Sequence, residues 1–234
     1  MSIVITEPGR DDNDYRPRSP RLSRGHVHRE RLYERFDSAA PVVLVVAPAG
    51  TGKTTALAGW IATCTGPTRW IDFARDAPPD ALWQEIAHGF GVSLPSAGED
   101  VPAHFAPIGD VVIGLTEALE QTLDREHVLV IDGFDSDDAD SVAAVGLFLQ
   151  RLPSNLRVVI AARHHLPLPL DGLRMRGDLS EMGYDELRFT SNESAAVLAQ
   201  LAPGVDTGFL EALAVWADGW VAPLALGAMV GRDH

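Results

Sequence analysis

The sequence is poor in several residue types, and each shortage narrows the class of protein. Cysteine occurs once, at Cys64, so the chain cannot form an internal disulfide, and we expect a reducing, cytoplasmic environment. No run of about 18 apolar residues is present, which excludes a membrane-spanning helix of ordinary length. Residues 1–10 also lack the apolar core of a signal peptide. These features predict a cytoplasmic protein with no membrane partner.

Positive charge is scarce as well. The chain has 19 Lys and Arg residues against 33 Asp and Glu residues, which gives a net charge of −14. Because DNA binding requires patches of Lys and Arg that neutralise phosphates, we expect no direct DNA binding by this chain. Residues 16–35 form an arginine-rich local exception. The length of 234 residues and the apolar content of 46% predict one large α/β domain and the start of a second.

Lysine occurs only once, as Lys53, and it lies in residues 47–55, whose sequence is APAGTGKTT. A phosphate-binding loop has the pattern G-x-x-x-x-G-K-[ST] between a strand and a helix. Here Ala47 replaces the first glycine, while a β-branched apolar run precedes the loop and a helical pattern follows it. The sequence therefore predicts that this loop binds the phosphates of a nucleotide, with the Lys53 ammonium contacting the β- and γ-phosphates.

The residues of the loop have separate expected roles. Backbone N–H groups from Ala49 to Thr54 would surround the phosphates at a helix N-terminus, where the helix dipole favours anions. Gly50 and Gly52 permit positive φ and close approach of a phosphate. The Thr54 hydroxyl is predicted to bind Mg²⁺. The predicted nucleotide-binding residues of the loop are Ala49, Gly50, Thr51, Gly52, Lys53, Thr54 and Thr55.

Predicted strands alternate with predicted helices along the first 190 residues, which indicates right-handed crossovers and a parallel sheet covered on both faces. Ligands of such sheets bind at the carboxyl ends of the strands. Strands are predicted at 41–46, 68–72, 127–132, 156–161 and 179–182. Helices are predicted at 28–36, 54–63, 79–90, 108–123, 138–152, 191–201, 208–216 and 221–230.

Asp132 and Arg163 follow strand ends and should therefore lie on the same edge of the sheet as the phosphate loop. Asp132 fits the acid that orients Mg²⁺, although an aspartate after a strand is also a common turn cap. Arg163 could donate to the γ-phosphate, or it could be a surface arginine beside a loop. Many such ATPases carry a second acid directly after the first, but here that position is Gly133. Asp135, two residues further on, is the alternative, which we leave without a role.

Several segments in a fixed order carry a family resemblance. The set resembles the NTPase module of MalT-like, LuxR-family regulators, which belong to the STAND class of signal-transducing ATPases. The resemblance runs from about residue 20 to the C-terminus. The matching segments are residues 27–32, 47–55, 70–72, 128–132, 152–156, 161–163, 173–177, 186–190 and 218–222.

The resemblance implies a parallel-sheet P-loop NTPase core of the ASCE type and the beginning of a C-terminal helical lid. We divide the chain into a flexible arm (1–20), the core (21–190) and the helical lid (191–234). Family members are held inactive by ADP, and ATP with an inducer releases them into an oligomerising state. The resemblance therefore implies ATP or ADP with Mg²⁺ as ligands. It also implies an inducer or partner protein and nucleotide-dependent self-association.

The resemblance also implies roles for particular residues. Arg29 would lie near the base or sugar of the nucleotide, and Arg163 would sense the γ-phosphate. The helix start at Gly219-Trp220 would border the nucleotide from the lid. Lys53, Asp132 and Arg163 are thus the predicted catalytic residues, with slow ATP hydrolysis at most because of Gly133. Two other functions stay open, namely a small-molecule kinase and an interaction domain that does not need nucleotide.

Overall fold

The computed structural model describes residues 19–22, 25–73, 78, 80–94 and 108–232. The predicted arm over residues 1–20 therefore lies almost entirely outside the described residues. Most of the loop expected between residues 91 and 107 lies outside them too. Within the described residues, no helix is both long enough and apolar enough to cross a membrane.

The described chain is organised around a sheet of five parallel strands, in the order β2-β3-β4-β1-β5. All five predicted strands are present, each within one residue of its predicted bounds, and the predicted α/β class is confirmed. Strand β4 lies between β1 and β3, so the segments that follow these three strands meet at one edge of the sheet. The strands are β1 (Val42–Val46), β2 (Thr68–Asp72), β3 (His127–Asp132), β4 (Leu156–Ala162) and β5 (Leu179–Met182).

Ten helices are found in the part of the chain that the structure describes. They are α1 (Glu30–Phe36), α2 (Lys53–Ile61), α3 (Ala81–Gly89), α4 (Ile108–Thr122), α5 (Ala139–Gln150), α6 (Asp171–Arg176), α7 (Tyr184–Leu187), α8 (Ser191–Leu201), α9 (Thr207–Ala217) and α10 (Val221–Arg232). The sequence did not predict α6 and α7, because one or two helical turns are too short to show an apolar period. The first helix was predicted to begin at His28, but it begins at Glu30.

Alternate residues of each strand point to opposite faces, and both faces are buried. In β1, Val42 and Leu44 pack with α3, α4 and α5, whereas Val43 and Val45 pack with α1 and α2. This two-sided burial explains why the three inner strands, β1, β3 and β4, are mostly apolar, whereas the edge strands β2 and β5 carry polar residues. The sheet is therefore packed between helices on both faces, and the loops described below follow the carboxyl ends of its strands.

Helices α8, α9 and α10, which fall in the region predicted to be a helical lid and are called the lid below, pack around an apolar cluster of their own. Leu198, Leu213 and Leu224 are central to that cluster, and Phe189 packs against it from the preceding segment. The lid also touches the phosphate loop, since the Ala222 N–H donates to the Gly50 carbonyl over 3.1 Å. A ligand bound at the loop would consequently lie beside both the sheet and the lid.

Candidate nucleotide-binding site

The phosphate loop connects β1 to the N-terminus of α2. Gly50 and Gly52 have φ values of 76° and 84°, so the left-handed backbone expected at both glycines is present. The Thr51 hydroxyl donates to the Pro48 carbonyl over 2.9 Å and closes the loop from inside. A Cβ at Gly50 would lie 2.9 Å from the Ala222 Cβ. Glycine is thus required there both by the backbone angle and by the lid helix.

The Lys53 ammonium is buried inside this loop. It donates to the carbonyls of Ala47 and Pro48 over 2.6 and 3.0 Å. Burial lowers the pKa of Lys53, while the charges of Asp132 and Asp135 act in the opposite direction. A phosphate beside the ammonium would favour its charged form in the same way that these carboxylates do.

Thr54 and Asp132 meet at the floor of the site. The Thr54 hydroxyl donates to Asp132 Oδ2 over 2.6 Å, which joins the start of α2 to the end of β3. Burial raises the pKa of Asp132, the Thr54 hydrogen bond opposes this, and the charge of Asp72 adds to it. Asp72 ends β2 directly opposite Asp132 in the strand register.

The donor set fits Mg²⁺, which prefers oxygen ligands and is usually held by one or two protein groups plus water and phosphate. Thr54 and Asp132 supply two such oxygens. Among the described residues, no group of three or more His, Cys, Asp or Glu side chains could hold a metal ion without further ligands. A magnesium ion here would therefore depend on phosphate oxygens and water for the rest of its coordination.

Arg163 follows β4 at the same edge of the sheet. Its side chain is 65% exposed, and its Nε lies 3.2 Å from Asp135 Oδ2. Its backbone N–H donates to Asp135 Oδ1 over 2.7 Å. Asp135, to which the sequence gave no role, is thus the direct partner of the predicted γ-phosphate sensor.

Arg29 is buried at the junction between the sheet and the lid. Its Nη2 donates to the carbonyls of Leu187 and Arg188 over 2.6 and 2.9 Å, and its Nε lies 3.4 Å from Glu193 Oε1. The guanidinium also lies over the Phe189 ring, 4.2 Å from the centroid. Burial lowers the pKa of Arg29 to about 10, partly offset by Glu193, so the side chain remains charged at neutral pH. Its main observed contacts are therefore with the segment that leads into the lid.

One cavity of about 560 Å³ brings most of these residues together. The predicted site residues on its wall are Arg29, Ala49, Gly50, Gly52, Lys53, Thr54, Thr55, Asp132 and Arg163. Thr51 is the exception, because its buried hydroxyl serves the loop itself. The resemblance placed Gly219-Trp220 beside the nucleotide, but the wall is formed by the next two residues, Val221 and Ala222.

Sequence reasoning missed several other residues of the wall, which are His26, Asp72, Phe189, Val197, Leu201, Ala225 and Met229. Asp72 carried a usable signal, since it is an acid at the end of a predicted strand, as Asp132 is. The apolar residues carried none, because a leucine or valine on a helix has the same local pattern whether it lines a cavity or fills a core. They give the cavity an apolar end opposite its charged loop.

The fold and this site define a P-loop NTPase. The sequence profile of the AAA ATPase domain family matches residues 27–160, more than half of the chain, and the chain belongs to that family. The HTH-type transcriptional regulator MalT of Yersinia enterocolitica is 27% identical over 88% of this chain and 24% of its own length. The serine/threonine-protein kinase PknK of Mycobacterium tuberculosis is 26% identical over 97% of this chain and 21% of its own length.

Solved structures show the same fold. A STAND protein with a tetratricopeptide repeat sensor from Pyrococcus horikoshii superposes with a TM-score of 0.62 at 17% identity, covering 89% of this chain and 30% of that one. A Walker-type ATPase of Pyrococcus abyssi superposes with a TM-score of 0.52 at 16% identity, covering 94% of this chain and 70% of that one. The predicted resemblance to the NTPase module of MalT-like and STAND proteins is confirmed. The chain spans about a fifth to a quarter of the length of these curated relatives.

Proposed function

We propose that this chain is an ATP- and ADP-binding module that acts as a regulatory switch and hydrolyses ATP slowly at most. The observation that carries this proposal is the composition of the cavity wall. Lys53, Thr54 and Asp132 lie on one side, and side chains of lid helices α8 and α10 lie on the other. Suppose that the core and the lid can adopt two relative positions. A ligand that contacts both of them, and binds more tightly in one position than in the other, shifts the equilibrium towards the position it binds more tightly. Membership of the AAA ATPase domain family supports nucleotide as that ligand.

The charged end of the cavity supplies the groups that recognise phosphate. Backbone N–H groups of the loop and the Lys53 ammonium bind the β- and γ-phosphates, and such charge-assisted hydrogen bonds are the strong ones. Thr54 and Asp132 hold Mg²⁺, which when bound neutralises phosphate charge. Arg163 adds a planar donor at the γ-phosphate. The apolar end takes the base.

Slow turnover follows from the residues after Asp132. Gly133 has no side chain, and the next carboxylate, Asp135, accepts a hydrogen bond from the Arg163 backbone N–H and forms an ion pair with its side chain. Neither therefore orients a water molecule for attack on the γ-phosphate, which is a task that needs a positioned polar side chain.

The proposed output is regulatory rather than metabolic. One relative is named a transcriptional regulator, and we propose a similar cytoplasmic role for the protein to which this module belongs. In that role an inducer or partner protein acts together with nucleotide, and the ATP state self-associates. DNA contact in such a protein falls to segments other than this acidic chain.

Titration calorimetry with ATP and ADP, each with Mg²⁺, tests nucleotide binding. We expect Lys53→Ala to weaken both affinities about 10- to 100-fold, because a charge-assisted hydrogen bond to phosphate contributes roughly 1.5–3 kcal/mol. Arg151→Ala, at the exposed end of α5, serves as the matched control and should leave both affinities unchanged.

Three results would contradict the proposal. Unchanged affinity in a folded Lys53→Ala variant would remove the loop from the binding site. No binding by the wild-type protein would favour an interaction domain that works without nucleotide. Phosphorylation of a compound in a small-substrate screen would favour a kinase instead.

A further inference from the structure

Asp135 is a buried carboxylate that nucleotide binding leaves without a role. It lies between β3 and α5, and only 5% of its surface is exposed. A carboxylate keeps its charge in such a place only when it is paired and hydrogen-bonded. Two of its partners come from Arg163, namely the backbone N–H at 2.7 Å and the side-chain Nε at 3.2 Å. The His164 Nδ1 atom lies further away, at 3.8 Å.

The contact with Asp135 uses one edge of the Arg163 guanidinium and leaves the other open. Within residues 19–22, 25–73, 78, 80–94 and 108–232, neither Nη atom of Arg163 makes a hydrogen bond, and the closest approach to the Asp135 carboxylate is made by Nε. The side chain lines the nucleotide cavity and is largely exposed. Bidentate recognition of a phosphate requires two N–H groups in one plane, and the two Nη atoms provide them.

The segment that carries Asp135 is firmly anchored. The N–H of Phe134 donates to the Ala161 carbonyl at the end of β4 over 2.9 Å. The Phe134 ring is fully buried and lies edge-on to Phe73, with 4.8 Å between the ring centroids. Asp135 and Arg163 also both act electrostatically on the Lys53 ammonium, so the pair lies beside the phosphate loop. Because its segment is held in place, Asp135 can fix the orientation of the Arg163 side chain.

We propose that Asp135 is a positioning residue that holds Arg163 by its backbone N–H and Nε, so that the two Nη atoms face the γ-phosphate. The inference rests on the proposed nucleotide binding and adds how the site would distinguish ATP from ADP. A long arginine side chain that is free in solution must lose rotamer freedom when it binds phosphate. Asp135 restrains that freedom before the ligand arrives, which raises affinity for the ligand that carries a γ-phosphate and for no other.

The test is titration calorimetry with ADP and with a non-hydrolysable ATP analogue, each with Mg²⁺, on the wild type and four variants. Asp135→Asn keeps an acceptor for the Arg163 N–H but loses the charge that holds Nε. We expect it and Arg163→Ala each to weaken binding of the ATP analogue roughly 3- to 10-fold, with ADP affinity changed by less than about twofold. The double variant should bind no worse than Arg163→Ala, because both changes remove the same interaction. Asp137→Asn, an exposed neighbour, is the control and should bind like the wild type.

Each other outcome is decisive. Equal losses for ADP and the ATP analogue in Asp135→Asn, or additive losses in the double variant, would overturn the positioning role. If Asp135→Asn does not fold, Arg163→Lys replaces it, since lysine keeps the backbone bond and a positive charge but has no Nε contact. If Arg163→Lys bound the ATP analogue and ADP with the same affinities as the wild type, the inference would also be overturned. Wild-type protein that binds neither nucleotide would overturn the proposed function, and this inference with it.

Discussion

Gly133 occupies the position at which a second acid would orient the attacking water. Its φ of 75° lies in the left-handed region, where a side chain costs about 1–2 kcal/mol. Space is not the obstacle, because the nearest atom to an added Cβ would be the Phe73 carbonyl oxygen at 3.7 Å. The proposed slow hydrolysis would therefore come from the missing carboxylate, and the backbone conformation would add only a moderate energetic penalty to restoring one.

We expect Gly133→Asp to raise the ATPase rate, on the order of 10²-fold, because a positioned carboxylate can assist the water. The wild-type rate should lie well below the roughly 10 s⁻¹ that is ordinary for enzymes. Gly133→Asn is the matched control, since it has the same shape and the same backbone strain without the carboxylate. A steady-state phosphate-release assay measures both. An equal rise in Gly133→Asn, or a wild-type rate of ordinary size, would contradict the slow-switch interpretation.

At the scale of elements, Glu193 in the first turn of α8 joins the lid to the segment that precedes the sheet. Its carboxylate accepts two hydrogen bonds from Arg31, at 2.8 and 3.0 Å, and one from the Thr190 N–H at 2.8 Å. The last of these belongs to a capping box in which the Thr190 hydroxyl accepts the Glu193 N–H. The Arg29 Nε lies 3.4 Å from the same carboxylate. Glu193 therefore both caps the N-terminus of α8 and holds that helix against the core.

Glu193 should make the stability of this junction depend on pH. Burial raises the pKa of Glu193, but the hydrogen bonds from Arg31 and Thr190 and the charge of Arg29 outweigh it, so the pKa lies below 4.5. A carboxylate whose pKa is lower in the folded than in the unfolded state stabilises the folded protein. This contribution is complete at pH values above the unfolded-state pKa, and it is lost as the pH falls through the folded-state pKa. At neutral pH the contribution is therefore complete.

We expect Glu193→Gln to lower the free energy of unfolding by about 1.5–3 kcal/mol at pH 7, because Gln keeps the capping acceptor but not the charge. The difference from wild type should shrink as the pH falls below the pKa of an unfolded glutamate and through the lowered pKa of Glu193, because the carboxylate then becomes protonated. Urea unfolding at a series of pH values measures it, with Glu117→Gln on the exposed face of α4 as the control. A difference that stays constant down to pH 3 would show that the charge contributes nothing.

At the scale of the whole molecule, the dominant feature is the excess of acidic charge. The net charge of −14 opposes association with nucleic acid, whose phosphates require a basic partner. Several arginines near the start of the chain are already engaged, since Arg29 and Arg31 bind the lid junction and Arg35 donates to the Glu181 carbonyl. These arginines hold the protein together and offer little free charge to an outside partner.

We expect this chain alone to form no sequence-specific complex with DNA at physiological salt. A mobility-shift titration measures this, and a basic DNA-binding protein of similar size is the positive control. Specific binding at nanomolar protein would contradict both the electrostatic argument and the interpretation of the chain as the switch module alone.

The sequence by itself determined the features that depend on neighbouring residues. The phosphate loop, the five strands and the acid at the end of β3 were all predictable, because each is a short contiguous pattern with one dominant physical cause. A parallel strand buried on both faces is mostly apolar, as β1 and β4 are, and a phosphate-binding turn has glycines where φ is positive. The short helices α6 and α7 escaped prediction because a single turn has no period to detect.

Only the tertiary structure decided which distant residues meet. Asp135 and Arg163 are 28 residues apart, and they pair because β3 and β4 are adjacent in the sheet. Arg29 was expected to face the nucleotide, but the fold also places the carbonyls of Leu187 and Arg188 and the carboxylate of Glu193 around it. Such pairings are set by strand order and helix packing, which act through space. Local sequence therefore carries no trace of them.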